Sequence, residues 1–351
     1  MCVFRLMLTV PTTNRWVLIL YIGGGSGYSG STQCDVGTVC VKLNDWYSQC
    51  QPGQAPTQAP TSTISTTVST GPTTTSTATS TATAPATSIP AGALTRLTAN
   101  FGTNPTNVAI YVYKPANVKN NPALLLALHG CGGTAQQFYS ATQYKQFADQ
   151  RGFLILYGSA ANDMNCWDNT GANSLKHDGG SDSLALASAI RYAISEWGVD
   201  ANRVFVTGMS SGAMMTNTMA GAYPDLIKAG ASFAGVAMGC LKASLTPPEG
   251  WADIVHRAYP GYTGPYPRMQ IWHGTADPAV NYTNLNEQVK QWTQVHSISQ
   301  TVTGSASGTP KSNWSKRVYG TGQVEAYTGQ GSGHGLPEAG TEIGAIEFFG
   351  L

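Results

Sequence analysis

The sequence is short of charge. Only 11% of its 351 residues are Asp, Glu, Lys or Arg, against roughly 25% in an average soluble domain. The 19 basic and 18 acidic side chains nearly cancel, leaving +1 at pH 7. Without a basic face, neither nucleic acid nor an anionic membrane surface is expected as a partner. The apolar run Trp16–Ile22 is far below the roughly 20 residues that a membrane span needs. There is no G-x-x-x-x-G-K-[ST] loop for phosphates and no H-E-x-x-H pair for zinc. The glycine runs lack the dinucleotide-binding spacing and its downstream acid. No metal or cofactor is expected.

The missing charge is concentrated in one place. From Trp46 to Thr95 there is no charged side chain, and residues 51–90 hold 14 Thr, 6 Ser and 6 Pro. Such a segment cannot bury enough apolar surface to offset the entropy of ordering it. Its composition is that of an O-glycosylated stalk, reaching on the order of 100 Å at roughly 3 Å per residue. Sequence of different character on both sides makes residues 52–93 a linker. It separates a short segment, 23–51, from a large domain, 94–351.

Seven cysteines are present, at 2, 34, 40, 50, 131, 166 and 240. Three of them lie within Cys34–Cys50, which reads as a small disulfide-stapled module outside the cytosol. Sequons at Asn281 and Asn313 fit a secretory route and are candidate glycosylation sites. Residues 1–22 serve poorly as a signal peptide: Arg5 and Arg15 interrupt the apolar character and no A-x-A-like site follows. They read as an imperfect signal or a misassigned start.

Residues 23–50 read GGGSGYSGSTQCDVGTVCVKLNDWYSQC, too small for a core without covalent staples. Adjacent aromatics on such a ribbon suit stacking on sugar rings. With GYSG at 27–30, Cys34, Cys40 and LNDWYSQC at 43–50, the segment resembles the fungal-type cellulose-binding module. The resemblance implies a cellulose-binding face containing Trp46 and Tyr47, flanked by Asn44 and Gln49, and a Cys34–Cys50 bridge. It also implies an incomplete module, because Gly23 stands where the family has its first cysteine and Leu20 near its first binding aromatic. It leaves Cys40 unpaired unless Cys2 is its partner.

In the large domain, short apolar runs alternate with segments of helical spacing. Strands are expected at Val108–Tyr113, Ala123–Leu128, Phe153–Tyr157, Val204–Thr207, Ala231–Phe233, Met269–Trp272 and Val324–Tyr327. Helices are expected at Ser183–Trp197, Ala213–Ala222 and Glu287–Val295. This pattern argues for an α/β fold with a largely parallel sheet covered on both faces.

The motif Gly208-Met-Ser210-Ser-Gly212 follows the fourth of these strands and opens a helix. That is the context of a nucleophile elbow, which lifts a serine to the carboxyl edge of a sheet. Serine needs a base and an orienting acid, in the chain order Ser, Asp/Glu, His for this fold. Of six histidines, His256, His273, His296 and His334 follow Ser210. His256 and His296 read as surface or packing residues in helical stretches. His273 closes a strand but precedes the best acid. His334, in a Gly-rich loop after the last strand, is the expected base. Asp277, just past Met269–Trp272, is the expected acid; Asp225 and Asp253 look helical or solvated.

The oxyanion of an acyl-transfer intermediate needs donors. The Ser211 N–H at the helix start and the Cys131 N–H of His129-Gly-Cys-Gly-Gly133 are the candidates. His129 reads as a packing or loop-fixing residue, and His177-Asp-Gly-Gly180 as a structural loop.

With HGCGG, NCWD (165–168), HDGG, GMSSGAMMTN (208–217), YPGYTG (259–264), QIWHGTAD (270–277) and GSGH in order, residues 94–351 resemble carbohydrate esterase family 1. These are secreted acetylxylan and feruloyl esterases related to polyhydroxybutyrate depolymerases. The resemblance implies an α/β-hydrolase fold and a triad of Ser210, Asp277 and His334. The expected activity is deacetylation of xylan, with release of ferulate from arabinoxylan the alternative and a non-catalytic wall-binding protein the reading from another class. Expected partners are acetylated or feruloylated xylan and a cellulose surface, at an extracellular location. Cys131 and Cys166 flank loops near the site and are the expected bridge. Cys240 has no evident partner, since the cysteine-bearing insertion that many relatives carry after it is absent.

Overall fold

A computed structural model describes residues 38–44, 47–52, 89–240, 250–335 and 337–351. These belong to two compact units. In the smaller, β1 (Thr38–Asn44) and β2 (Tyr47–Pro52) form an antiparallel pair that sets Cys40 opposite Cys50 and Asn44 opposite Tyr47. Gln49 stands opposite Val41. Trp46 and Cys34, named above for cellulose binding and for a bridge, lie outside the described residues.

The larger unit begins with β3 (Leu94–Arg96), β4 (Ala109–Tyr113) and β5 (Leu124–Leu128). Two short helices follow, α1 (Ala135–Ala141) and α2 (Tyr144–Arg151), then β6 (Leu154–Ser159), α3 (Ser181–Trp197) and β7 (Val204–Met209). The chain continues through α4 (Ser211–Ala222), β8 (Ala229–Phe233), α5 (Trp251–Ala258), β9 (Arg268–Gly274) and α6 (Asn284–Val295). It closes with β10 (Val302–Ser307), β11 (Trp314–Tyr319), β12 (Val324–Gly329) and α7 (Glu342–Phe349).

One sheet holds all ten of these strands, in the order β10-β11-β12-β9-β8-β7-β5-β6-β4-β3. The run from β12 to β6 is parallel, and antiparallel strands flank it on both edges. Side chains alternate across a strand, so each central strand feeds two cores. Leu124, Leu126 and Leu128 of β5 pack with Val204 and Val206 of β7 under α3, α4, α5 and α6. Leu125 and Ala127 face the other way, with Phe205, Phe233 and Trp272, against α1, α2 and α7. Burial on both faces explains why LLLAL is apolar without interruption.

All seven expected strands are present, with ends shifted by up to two residues. The three expected helices each begin earlier, by two or three residues. Asp253 lies in the first turn of α5, and Asp225 in a turn after α4. The edge strands β3 and β10, the strand β11 beside β10, and the helices α1, α2 and α7 were not foreseen. The parallel order brings the carboxyl ends of β5, β7, β8, β9 and β12 to one edge of the sheet, which is where such folds place their chemistry.

Candidate active site

Ser210 sits between β7 and α4 with φ 52° and ψ −120°, a backbone conformation that side-chain-bearing residues rarely adopt. It persists because the turn is overdetermined. The Ser210 N–H donates to Phe233 C=O at 2.9 Å, and the Ser210 C=O accepts from Met214 N–H at 3.0 Å. The flanking glycines permit a close approach of backbones. A Cβ on Gly212 would lie 2.3 Å from the Leu128 carbonyl oxygen and 2.5 Å from that of His129. A Cβ on Gly208 would lie 2.4 Å from the Gly212 oxygen. The elbow is thus wedged against the end of β5, and Gly130 packs beside the Ser210 side chain.

The loop after β12 reaches the same place. The Ser332 C=O accepts from Ala276 N–H at 3.0 Å, and a Cβ on Gly274 would strike that same carbonyl oxygen at 2.2 Å. Asn313 at the start of β11 braces this loop, its Nδ2 donating to Gln330 C=O at 3.3 Å and Ser332 Oγ at 3.1 Å. Two residues on, the His334 side chain spans the gap. Its Nδ1 is 2.7 Å from Asp277 Oδ2 and its Nε2 is 2.9 Å from Ser210 Oγ.

The side chain of Asp277 is fully buried. Burial alone would favour its neutral form, but hydrogen bonds from His273 and His334, and from the Val280 N–H, hold the carboxyl well below the usual carboxylate range. Its Oδ1 accepts from the Ala279 and Val280 N–H groups, each at 2.8 Å. An ionised Asp277 accepts only, so His334 carries its proton on Nδ1 and turns the Nε2 lone pair to the Ser210 hydroxyl. An array of this kind can take the proton of a serine as the oxygen attacks a carbonyl.

The glycine-rich loop after β5 is fixed by the residue expected to fix it. His129 Nδ1 is 2.7 Å from Gly130 C=O, and its Nε2 accepts from Ala160 N–H at 3.1 Å. Burial pushes its pKa down, opposed by the bond to Gly130, so the ring is neutral with its proton on Nδ1. A disulfide joins Cys131 in this loop to Cys166. The N–H groups of Cys131 and Ser211 donate to no carbonyl among the described residues. Cys240, left without a partner above, is disulfide-bonded; the absence of an insertion after it did not leave it free.

Sequence reasoning missed what the NCWD loop does. The Trp167 N–H donates to Ser211 Oγ at 2.9 Å and its indole N–H to His129 C=O at 2.9 Å. Asn169 Nδ2 donates to Ser211 C=O at 3.0 Å. Together with the disulfide, these contacts lock the loop onto the elbow. The segment after β8 is held in a similar way from α6: Gln288 Nε2 donates to Gly235 C=O at 3.0 Å, and Gln291 binds both the N–H and the C=O of Met238.

The remaining histidines stand apart from this array, except one. His177 stacks on Tyr259 at 3.6 Å and donates from Nδ1 to Ala222 C=O. His256 is exposed. His296 donates to Pro267 C=O, and burial lowers its pKa despite that bond. His273 lies directly beside Asp277, 3.5 Å from Oδ2. Asn281 is exposed at the end of the Asp277 loop, with Oδ1 accepting from Thr283 N–H. Among the described residues, no group of three or more His, Cys, Asp or Glu could hold a metal ion, and no helix is long and apolar enough to cross a membrane.

A serine on a strand-to-helix elbow, with acid and histidine delivered by later strand ends of a mostly parallel, doubly covered sheet, defines an α/β hydrolase. More narrowly, the chain belongs to the esterase PHB depolymerase family, which matches residues 106–309. The fungal cellulose binding domain matches residues 24–47. The chain is 57% identical to an acetylxylan esterase of Coprinopsis cinerea, over 97% of this chain and 96% of that protein. It is 42% identical to feruloyl esterase B of Talaromyces stipitatus, over 74% of this chain and 76% of that one. An acetyl xylan esterase structure from Aspergillus awamori superposes with a TM-score of 0.70 at 36% identity, covering 74% of this chain and 99% of the other.

Proposed function

We propose that this protein is a secreted serine esterase that removes acetyl groups from xylan. The observation that carries the reading is His334 bridging Asp277 and Ser210 at 2.7 and 2.9 Å, in a chain 57% identical to an acetylxylan esterase. Ser210 Oγ attacks the ester carbonyl while its proton passes to His334 Nε2. The Cys131 and Ser211 N–H groups receive the oxyanion, and the sugar hydroxyl departs with the proton from His334. Water, deprotonated by the same histidine, then releases acetate and restores Ser210. Asp277 stays ionised throughout and stabilises the imidazolium.

The 42% identity to a feruloyl esterase B supports a second reading with the same machinery, release of ferulate from arabinoxylan. The family match at residues 24–47 supports a cellulose-binding role for Asn44, Trp46 and Tyr47, and the reading extends it to Gln49 just past the matched residues. The same reading includes a bridge from Cys34, inside the match, to Cys50 beyond it, and glycosylation at the sequons would accompany export.

Two measurements test this. Ser210→Ala is expected to lower hydrolysis of 4-nitrophenyl acetate by at least ~10⁴-fold, and a variant that keeps its rate removes Ser210 as nucleophile. Comparison of acetylated xylan with methyl ferulate separates the two substrates. Faster ferulate release would replace the acetyl reading with the feruloyl one.

A further inference from the structure

We infer that His273 is a positioning residue for Asp277, holding the acid in the orientation that His334 requires. The inference rests on the esterase reading and adds to it a second histidine on the same carboxylate. His273 is fully buried on β9, four residues before Asp277. Its Nε2 donates to Val280 C=O at 2.9 Å and lies 3.5 Å from Asp277 Oδ2. Val280 is also tied to the acid from its other side, its N–H donating to Asp277 Oδ1 at 2.8 Å. The turn that carries the acid is therefore closed at both ends of Val280, by the carboxylate at the N–H and by His273 at the carbonyl.

The tautomer follows from the surroundings. His273 Nδ1 is buried and meets no hydrogen-bonding group among the described residues. A proton there would be an unsatisfied buried donor, the costlier arrangement. The proton belongs on Nε2, where Val280 C=O accepts it at 2.9 Å and Asp277 Oδ2 lies 3.5 Å away. The Tyr282 ring meets the His273 ring edge-on at 6.1 Å, and its hydroxyl pairs with Thr328 Oγ1 at 2.9 Å on the neighbouring strand β12. The ring of His273 is thus boxed in.

The consequence concerns rotation of the Asp277 carboxylate. Oδ1 is held by two backbone N–H groups of its own turn, and Oδ2 receives His334. If the turn moved, both oxygens would leave together, because the N–H donors and the acid share it. The start of the turn is tied by backbone bonds, Asp277 N–H to Gly274 C=O at 3.4 Å and Ala276 N–H to Ser332 C=O at 3.0 Å; His273 adds a side-chain tie from β9 to its far end at Val280. A displacement of about 1 Å at a catalytic group can cost roughly 100-fold in rate.

The test compares two substitutions in the full chain. His273→Gln places an amide nitrogen where Nε2 was and keeps the donor; His273→Asn is too short to reach Val280. The Asn variant is expected to lose roughly ten- to a hundredfold in kcat on 4-nitrophenyl acetate, with KM within about twofold. The Gln variant is expected to keep kcat within about threefold. An Asn variant with parental kcat, a Gln variant as impaired as Asn, or a loss carried by KM alone overturns the inference. Retention of activity by Ser210→Ala would instead overturn the esterase reading, so the two failures are distinct. Should the Asn variant not fold, ¹⁵N NMR of the parent protein decides. A proton on His273 Nε2 supports the inference, and one on Nδ1 overturns it, since Nε2 could then not donate to Val280.

Discussion

The two sides of the candidate site are built by different physics. The serine side is fixed by backbone against backbone: Gly208 and Gly212 leave no room for a methyl group between β7, α4 and the end of β5. On the acid side the loop is wedged too, at Gly274 against Ser332, but the Asp277 carboxylate itself is fixed by polar contacts, receiving His334 and two N–H groups of its own turn. The first kind of restraint is steric and independent of pH. The second depends on charge and donor geometry, so chemical change at one atom can undo it without disturbing the fold. Proton transfer needs the adjustable kind, and a strained nucleophile needs the rigid kind.

That contrast can be broken from either side. Asp277→Asn keeps an Oδ1 that accepts the turn N–H groups but no longer stabilises an imidazolium. It is expected to lower kcat by about 10⁴-fold and also to lower the melting temperature at pH 7, because the fold stabilises the ionised carboxyl through its hydrogen bonds. A variant that retains kcat would remove the acid from the mechanism.

Gly212→Ala attacks the steric side. Its Cβ meets two carbonyl oxygens of the β5 end at 2.3 and 2.5 Å, and relief requires moving backbone rather than side chains. A loss of about 3 kcal/mol is expected, at the upper end for overpacking, read from denaturant unfolding. A midpoint equal to the parent's would mean the elbow is not wedged.

The smallest effect is on stability against pH. His129 and His296 both have pKa values lowered by burial in the fold. The unfolded chain then binds protons first as pH falls, so stability is full above about pH 6.5 and declines below it. Asp277, whose carboxyl is depressed in the fold, contributes in the same direction but only below about pH 4. The melting temperature is expected to fall between pH 7.5 and 5.5, and His296→Gln, which keeps a donor for Pro267 C=O, should flatten part of that decline. An unchanged slope in that variant would exclude His296 as a contributor.

What could be read from the sequence follows the same division. β5 and β7 were legible because strands buried on both faces have no polar alternative. Ser210 was legible because the glycines on either side are dictated by the backbone approach itself. β10 was not, because it is an exposed edge strand whose residues VTGSAS show no apolar alternation. The short helices α1 and α2 bury only two residues each, too few to show a period. His273 was set aside because it precedes the acid in the chain, and order says nothing about a contact made four residues later by a turn. The bonds from Trp167 and Asn169 to Ser211 were equally invisible, since they join loops 42 to 44 residues apart.

The bracing amide of Asn313 has a consequence for the chemistry of export. A sugar attached to an asparagine replaces one of its two N–H bonds, and at Asn313 those bonds hold Gln330 and Ser332, just ahead of the histidine. Asn281 makes its contact through the oxygen alone. A glycan at 281 therefore leaves every described hydrogen bond of the catalytic loops in place, whereas one at 313 must be bought with a bond to the loop that carries His334.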